Sequence, residues 1–590
     1  FEHSKNGFID YLMHGKDGHP LAVLEAKRES IHPLSAKEQA RDYANSVNAR
    51  YIILSNGNTH YLWDTKEGNP EPIIRFPAQA SLDEFQTYQP NPSALGNETV
   101  DDTYIAKSQM PNFIQNPQYI KGGADQLDFL FKNKLKIMRP YQVEAVHAIQ
   151  NAAKQDKKRY LLEMATGTGK TLTCAAIIKL FLRTGNAKRI LFLVDRIELE
   201  DQAQKAFTEV LGKDYITVTY KKNRDDWQKA QIVVTTVQSL LVNNKYRDEF
   251  SPTDFELVIS DEAHRSISGN ARAVFEYFVG YRIGLTATPK DYLKGFDEAD
   301  TNSQKEFECR QLISTYETFG CKSGQPTYSY SLLNGVKDGY LINPVVVDAR
   351  TEITTQLLSN EGMSLRKKVD NDIEIDGVFT HKDYEKKIFN EATNQLFCEQ
   401  FIKHAEKDPI TGEVGKSLIF AVSQNHAAKI VNMLNKIAHD LWPGKYNSDF
   451  ALQVTSNVMD AQNYTINFTN NNLKGHTNWL EHYESSKTRV CVTVGMMTTG
   501  YDCPDLLNVC FMRPVFSPSD FVQMKGRGTR KHIFKYTDYG NDDQAHEYPK
   551  TLFKIIDFFA VCEYFNEKYD YTVVLQLPKK VTGQINEPSP

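Results

Sequence analysis

The sequence predicts an α/β protein in which two successive domains built on parallel sheets follow a smaller α/β domain. Three observations carry that expectation. From residue 160 onward, short apolar runs alternate with helical stretches, the pattern of a parallel sheet covered on both faces. A glycine-rich turn at residues 164–171 joins one such run to a helix, and the first eighty residues hold two short hairpins with a helix between them. At 590 residues the chain is too long for one domain, while 41% hydrophobic and 24% charged residues are ordinary for a globular protein. The net charge of −5 does not advertise nucleic-acid binding, so any DNA contact has to come from local clusters. The eight cysteines form no Cys-x-x-Cys pair and lack the dense spacing of a secreted scaffold, which predicts reduced thiols in a cytoplasm. No apolar run is long enough for a membrane span, no signal-peptide pattern opens the chain, and a first residue of Phe points to an excised stretch.

The turn Met164-Ala-Thr166-Gly167-Thr168-Gly169-Lys170-Thr171 follows the apolar residues 160–162 and leads into a helix over 172–183. Backbone N–H groups of such a turn, with the helix N-terminus, form a nest for a polyphosphate. Lys170 then supplies a cation to the β- and γ-phosphates and the Thr171 hydroxyl a ligand to Mg²⁺. Met164 stands where the strict pattern has glycine. Upstream, Met138-Arg-Pro-Tyr-Gln142 opens a helix, and Gln142 reads adenine through its paired donor and acceptor or is simply a helix start.

Further strands are predicted at 189–194, 232–235, 257–260 and 282–285, and polar groups gather at their C-terminal ends, where open α/β sheets bind ligands. In Asp261-Glu-Ala-His264, Asp261 is placed to hold Mg²⁺ through water and Glu262 to align a hydrolytic water. Thr286-Ala-Thr288 offers two hydroxyls as a relay, or is a plain strand end. Arg196, Thr236 and Gln238, at two other strand ends, offer a cation and polar donors to a phosphate backbone.

A second set of strands is predicted at 341–347, 417–422, 489–494, 509–512 and 553–559, with residues 360–383 as an insertion or mobile loop. The stretch from Thr493 runs through Gly500 to Asp502, and Thr493 is a further candidate DNA contact. On a continued helix, Gln523, Arg527 and Arg530 share one face. Two guanidiniums so placed repel unless anions face them; a γ-phosphate across an interdomain cleft makes them arginine fingers, and the alternative is a basic helix facing DNA or solvent. Beyond residue 577 the chain reads as a polar tail.

Near the N-terminus, apolar runs at 8–13 and 21–26 flank Asp17-Gly18, a two-residue hairpin turn. With 16 facing 19, the register brings Asp10 opposite Glu25, and Lys27 shares their face. Two carboxylates so close call for a cation, which makes Asp10 and Glu25 a candidate Mg²⁺ site, with Lys27 placed to orient water and stabilise charge on a phosphate. Ser35-Ala-Lys-Glu38 reads as a capping box, and in the helix it starts Gln39 and Tyr43 lie four apart. The alternative is a solvated hairpin with ordinary surface charges. Residues 51–55 and 59–63 form a second hairpin across Asn56-Gly-Asn58, and residues 84–124, rich in Gln, Asn, Pro, Ser and Gly, read as a loosely packed linker.

Asp10, Glu25-x-Lys27 and Gln39-x-x-x-Tyr43 resemble the PD-(D/E)xK nuclease core with the extra element of its RecB-like branch. Gln142, the phosphate loop, Asp261-Glu-Ala-His264, Thr286-Ala-Thr288, Gly500-x-Asp502 and Gln523-x-x-Gly-Arg527-x-x-Arg530 resemble, in that order, the motif series of superfamily 2 helicases and translocases. The two together resemble the restriction (R, or HsdR) subunit of type I restriction-modification enzymes, in which Met at position 164 is a family trait. The resemblance implies two RecA-like motor domains, ATP and Mg²⁺ as cofactors, and Gln142, residues 166–171, Asp261, Gly500, Asp502 and Gln523 around the nucleotide. It also implies a machine that pumps double-stranded DNA and cuts it remotely, with methyltransferase (M) and specificity (S) subunits as partners. The boundaries it implies are a nuclease-like domain at 1–83, shortened at its N-terminus, a linker at 84–124, motors at 125–330 and 331–577, and a tail at 578–590. A partner-docking helical segment is not expected in this stretch. Two other readings stay open: an N-terminal domain that only holds DNA or a partner, and a strand-separating DNA or RNA helicase.

Overall fold

The computed structural model describes residues 9–66, 68–220, 226–266, 271–290, 314–349, 391–476, 483, 485–498, 501–515, 517–537, 545–565 and 574–575. The expected insertion at 360–383, Gly500 and the tail lie outside these residues. The chain divides into two compact units, one of residues 1–164 and 169–331, the other of 165–168 and 332–590. Among the described residues no helix is long and apolar enough to cross a membrane.

The first unit opens with a five-stranded sheet, β1 (Tyr11–His14), β2 (Pro20–Ala26), β3 (Tyr51–Ser55), β4 (His60–Asp64) and β5 (Glu71–Ile73), in that order. Strand β3 runs parallel to β2, and every other neighbour is antiparallel. Successive side chains of β3 point to opposite faces, and both faces are buried. Ile52 and Leu54 pack with Val23 and Trp63 under Ala40, Tyr43 and Ala44 of the helix Lys37–Ser46. Tyr51 and Ile53 pack with Ala22, Leu62 and Ile73 under Leu82 and Phe85 of the helix Gln79–Gln86.

Two local expectations fail here. Tyr11 faces Leu24 and Met13 faces Ala22, as the 16/19 register requires, but His14 faces Pro20 across a register shift. Pro20 has no N–H to extend the ladder. The turn is therefore wider than two residues, closed by Gly15 N–H to His19 O (2.9 Å) and Gly18 N–H to Gly15 O (3.0 Å), with Gly18 at φ +78°. Nor does Ser35 form a capping box: its hydroxyl turns back to His32 O (2.7 Å) within a 3₁₀ turn, Pro33–Ala36. The helix from Lys37 starts without a side-chain cap, and Glu38 pairs with Arg41.

Residues 84–124 are folded rather than loose. They carry helices Pro92–Asn97, Ala106–Gln109 and Pro117–Ile120, and bury Leu95, Tyr104, Ile105 and Phe113. Gln150 donates to Leu95 O and Glu98 O, and Lys179 reaches Tyr104 O. The Asn and Pro residues that suggested a linker are cap and first-turn residues, as Asn91 and Asn116 show. The small-sheet domain also docks on the larger parallel-sheet domain of the same unit: Ser81 Oγ lies 2.6 Å from Thr253 Oγ1, Ala78 N–H donates to Ser251 Oγ, and Tyr88 OH donates to Asn186 O.

That larger domain holds a seven-stranded, wholly parallel sheet: β6 (Arg159–Met164), β7 (Ile190–Val194), β8 (Thr217–Thr219), β9 (Ile232–Thr236), β10 (Leu257–Ser260), β11 (Tyr281–Thr286) and β12 (Tyr328–Tyr330). Their order is β12-β6-β11-β10-β7-β9-β8. Helices Pro140–Ala153, Lys170–Arg183 and Ile197–Leu211 belong to it. The second unit repeats the plan with β13 (Pro344–Asp348), β14 (Ser417–Phe420), β15 (Ala451–Gln453), β16 (Val490–Thr493) and β17 (Asn508–Phe511). An antiparallel hairpin, β18 (Ile533–Thr537) and β19 (Ala545–Pro549), precedes β20 (Phe553–Asp557) and β21 (Val574–Leu575). The parallel order is β15-β16-β14-β17-β20-β13-β21. Both large sheets are of the RecA-like kind that the sequence predicts.

Candidate functional sites

Between β6 and the helix Lys170–Arg183, Gly167 (φ +86°) and Gly169 (φ +77°) take left-handed conformations that side chains disfavour. Met164 is the last residue of β6, fully buried, and has no positive φ, so the missing glycine costs the loop nothing. Thr168 Oγ1 donates to Ala165 O (2.7 Å) and tightens the turn. Gln142 brackets the loop from below: its Oε1 accepts from Arg139 N (2.9 Å), and its Nε2 lies 3.3 Å from Gly169 O. A Cβ on Gly169 would sit 2.7 Å from that Nε2, a second reason for glycine. Thr166 is buried, whereas the Thr171 side chain is exposed.

Lys170 crosses to the end of β10, where its Nζ lies 3.3 Å from Glu262 Oε1. Glu262 is itself at φ +48°, and its N–H donates to Asp261 Oδ1 (3.0 Å). Burial raises Asp261, and the neighbouring Glu262 charge adds to the rise. Burial would raise Glu262 as well, but Lys170, His264 and Arg265 together hold it below the usual carboxylate range. Burial pushes His264 down to about 4, so its ring is neutral at pH 7. That ring meets Thr286 Oγ1 (2.8 Å), which also accepts from the Thr288 backbone N–H (3.0 Å), so only the first of the two expected hydroxyls is engaged. Glu262 Oε2, His264 Nε2 and Thr288 Oγ1 are buried without a hydrogen-bond partner among the described residues. The left-handed cradle, the exposed Thr171 hydroxyl and the orphaned Glu262 oxygen fit a nucleotide with Mg²⁺ and a water.

The candidate DNA contacts fare unevenly. Arg196 is half-buried beside Asp195 (3.7 Å), which also holds Arg265 at 2.9 Å, a positioning pair that motif spacing gave no signal for. Gln238 is exposed. Thr236 is fully buried and its hydroxyl accepts from Ser239 N as a helix cap, which displaces the expected phosphate contact. Thr493 is fully buried at the end of β16.

In the second unit the arginine pair is not on a helix face. The helix Pro518–Lys525 stops at its C-cap Gly526, so Arg527 and Arg530 lie beyond it. Asp502 meets Arg530 in a two-point pair (3.0 and 3.1 Å), and Arg527 donates to Gln523 O (3.1 Å) and to Tyr501 O. The anion facing Arg530 is thus a carboxylate of its own unit, and Gln523 is buried.

At the small sheet, Asp10 immediately precedes β1 and its Oδ2 accepts from Ala26 N (2.8 Å). Glu25 shares the face of Val23, under the helix that carries Gln39 and Tyr43. It is 2% exposed; Oε1 pairs with Lys27 Nζ (2.7 Å), while Oε2 is buried without a hydrogen-bond partner among the described residues. Burial raises the Glu25 carboxyl, Asp10 raises it further, and the Lys27 hydrogen bond opposes both. Gln39 Nε2 donates to Tyr43 OH (2.7 Å). Glu25 and Lys27 pair directly, while Asp10 holds the Ala26 N–H and acts on Glu25 through its charge. No set of three or more His, Cys, Asp or Glu residues is poised for a metal among the described residues. A buried carboxylate oxygen with nothing to bind, beside a second carboxylate, nevertheless fits Mg²⁺, which keeps several waters of its own.

Both sites stand in a fold of two RecA-like parallel-sheet units preceded by a smaller α/β domain. Residues 2–77 match the family model of the type I restriction enzyme R protein N terminus (HSDR_N), and residues 135–291 match that of the type III restriction enzyme res subunit. The EcoAI endonuclease subunit of a type I restriction enzyme from Escherichia coli is 25% identical over 577 residues, covering 97% of this chain and 62% of that protein. The EcoKI endonuclease subunit from Escherichia coli strain K12 is 27% identical over 611 residues, covering 94% and 47%. A solved fragment assigned to an HsdR subunit from Vibrio vulnificus YJ016 has 24% identity, covers 96% of this chain and 86% of that one, and gives a TM-score of 0.45. The chain is similar to these type I restriction endonuclease subunits over most of its own length, and spans 47–62% of theirs.

Proposed function

We propose that the protein is the restriction subunit of a type I restriction-modification system, an ATP-driven double-stranded DNA translocase and Mg²⁺-dependent endonuclease in the cytoplasm, working with methyltransferase and specificity subunits. The observation that carries the motor reading is Lys170, held by Glu262 at the mouth of a left-handed glycine loop. When the triphosphate enters, Lys170 exchanges Glu262 for the β- and γ-phosphates. Glu262, ionised and freed of its partner, then takes the hydrolytic water on its orphaned Oε2. The neutral His264 ring, its Nδ1 on Thr286 Oγ1, stands beside this carboxylate. Thr171 and Asp261 would hold Mg²⁺, which neutralises phosphate charge. Arg527 and Arg530 act on the transition state once a phosphate competes with Asp502. Arg530→Ala is then expected to leave ATP binding nearly intact and to lower turnover about a thousandfold; an equal loss of both would remove this role.

In the nuclease-like domain, Asp10 and Glu25 would hold Mg²⁺, which activates a water there. Lys27, on Glu25 Oε1, is placed to orient that water and to stabilise charge on the phosphodiester. The test is DNA nicking with Mg²⁺, ATP and the partner subunits. Equal nicking by Glu25→Ala and the parent would leave the N-terminal domain as a DNA or partner holder.

A further inference from the structure

Several buried cations in the second unit are closely answered. Arg489 meets Asp408 (3.1 Å), Lys416 meets Asp505 (2.9 Å), and Lys550 donates to the carbonyls of Pro504 and Gly528 (3.0 and 2.8 Å). Arg513 is different. It follows Met512 at the C-terminal end of β17, a strand flanked on both sides by β14 and β20. Its side chain is half-buried, and its Nε is buried without a hydrogen-bond partner among the described residues. Among the described residues its Nη2 reaches only Met524 Sδ at 3.9 Å, a weak acceptor on the helix Pro518–Lys525. No Asp or Glu oxygen among the described residues lies within the 4.0 Å of an ion pair; Asp520, on the same helix, contributes a favourable charge from farther away.

A guanidinium drawn out of water without a carboxylate or carbonyl costs folding energy, and such a group persists where a ligand completes it. The place fits a ligand: C-terminal strand ends are where open parallel sheets bind, and the fork geometry of arginine suits a phosphate oxygen pair. We infer that Arg513 is a phosphate-binding residue, its ligand a phosphate group of the nucleotide or of the nucleic-acid backbone. The inference rests on the motor reading for the source of that phosphate.

The test uses the full chain with Arg513→Met, which keeps the packing against Met524 and removes the charge, and Arg513→Lys, which keeps the charge and loses the fork. Binding of Mg²⁺-ATP without DNA is measured in one arm, and binding of a short DNA duplex over a salt series in the other. Arg513→Met should melt no lower than the parent, because the unanswered charge is gone, and should lose about tenfold in affinity in one arm. Arg513→Lys should lose severalfold in the same arm. A loss confined to ATP assigns the nucleotide; a sequence-independent loss for DNA, with the salt slope reduced by about one, assigns the backbone. Changes below twofold in both arms, in Arg513→Met or, should that variant not fold, in Arg513→Lys, overturn the inference. Lys170→Ala serves as the control: if it hydrolyses ATP like the parent, the motor reading fails whatever Arg513 does.

Discussion

At the end of β10 the carboxylate of Glu262 meets a lysine 92 residues away in sequence and is held ionised, whereas at the end of β2 that of Glu25 meets Lys27, two residues on, and is pushed towards its protonated form. Both are buried and each has a second carboxylate beside it. The difference lies in the surroundings. Glu262 has Lys170, Arg265 and the His264 ring around it, and its acidic neighbour Asp261 takes the upward shift instead. Glu25 has only Lys27, 24% exposed and so partly screened by solvent, against both its own burial and Asp10. The first carboxyl is therefore held below its ordinary range before its substrate arrives, and the second above it.

The comparison can be broken in four ways, taken from the largest expected effect downward. Lys170→Ala should abolish ATP hydrolysis, a loss of at least about a thousandfold by phosphate-release assay, because the phosphates lose their cation and Glu262 its partner; retained hydrolysis would remove the motor reading. Glu25→Ala should abolish nicking while ATP turnover stays within about twofold, which separates the two sites functionally. Lys27→Met removes the one group that lowers the Glu25 carboxyl, so the acid limb of the cleavage–pH profile should move to higher pH and the rate at neutral pH fall about tenfold; an unmoved limb would show that Lys27 does not govern ionisation there.

The smallest effect concerns His264. Its folded value, depressed from 6.5 to about 4, means that the stability it contributes is present above pH 6.5 and is lost as pH falls towards 4. The loss is on the order of 3 kcal/mol. In denaturant melts His264→Gln should lose less stability than the parent as pH falls through this range. The raised Asp261 works in the opposite sense, its contribution being lost as pH rises through its shifted value. If His264→Gln and the parent lose stability equally between pH 6.5 and 4, the His264 sign is wrong.

Much of this was legible in the sequence, for reasons that differ from place to place. The strands β7, β9, β10 and β11 are nearly unbroken apolar runs because both faces of a parallel sheet are covered. The strands missed are three residues long, β8 and β15, or polar, as in the Tyr-Ser-Tyr of β12. The register of Tyr11 with Leu24, next to Asp10 and Glu25, followed from counting outward from the turn even though the turn itself differs, because the shift lies between Met13 and His14. Helical spacing misplaced Arg527 and Arg530, since period counting does not see that Gly526 and Gly528 stop the helix. A Cβ on Gly528 would lie 2.1 Å from the Phe553 ring, so that glycine answers to a contact 25 residues on. Thr236 looked like a donor for DNA because capping and ligand-binding use the same hydroxyl, and only burial tells them apart. Nothing in the spacing hinted at Arg513, which stands out only because its neighbours leave it alone.

The helix Gln79–Gln86 begins just past residue 77, where the match to the R-protein N terminus ends, yet Leu82, Phe85 and the following Tyr88 close one side of the small sheet. The stretch matched by that family model and the stretch that closes the core of the small sheet are thus not the same length. An excision at residue 77 would leave a greasy, half-finished slab, and a graft of this module onto another motor would have to bring along both the helix and a seat for Ser81 like the one Thr253 provides.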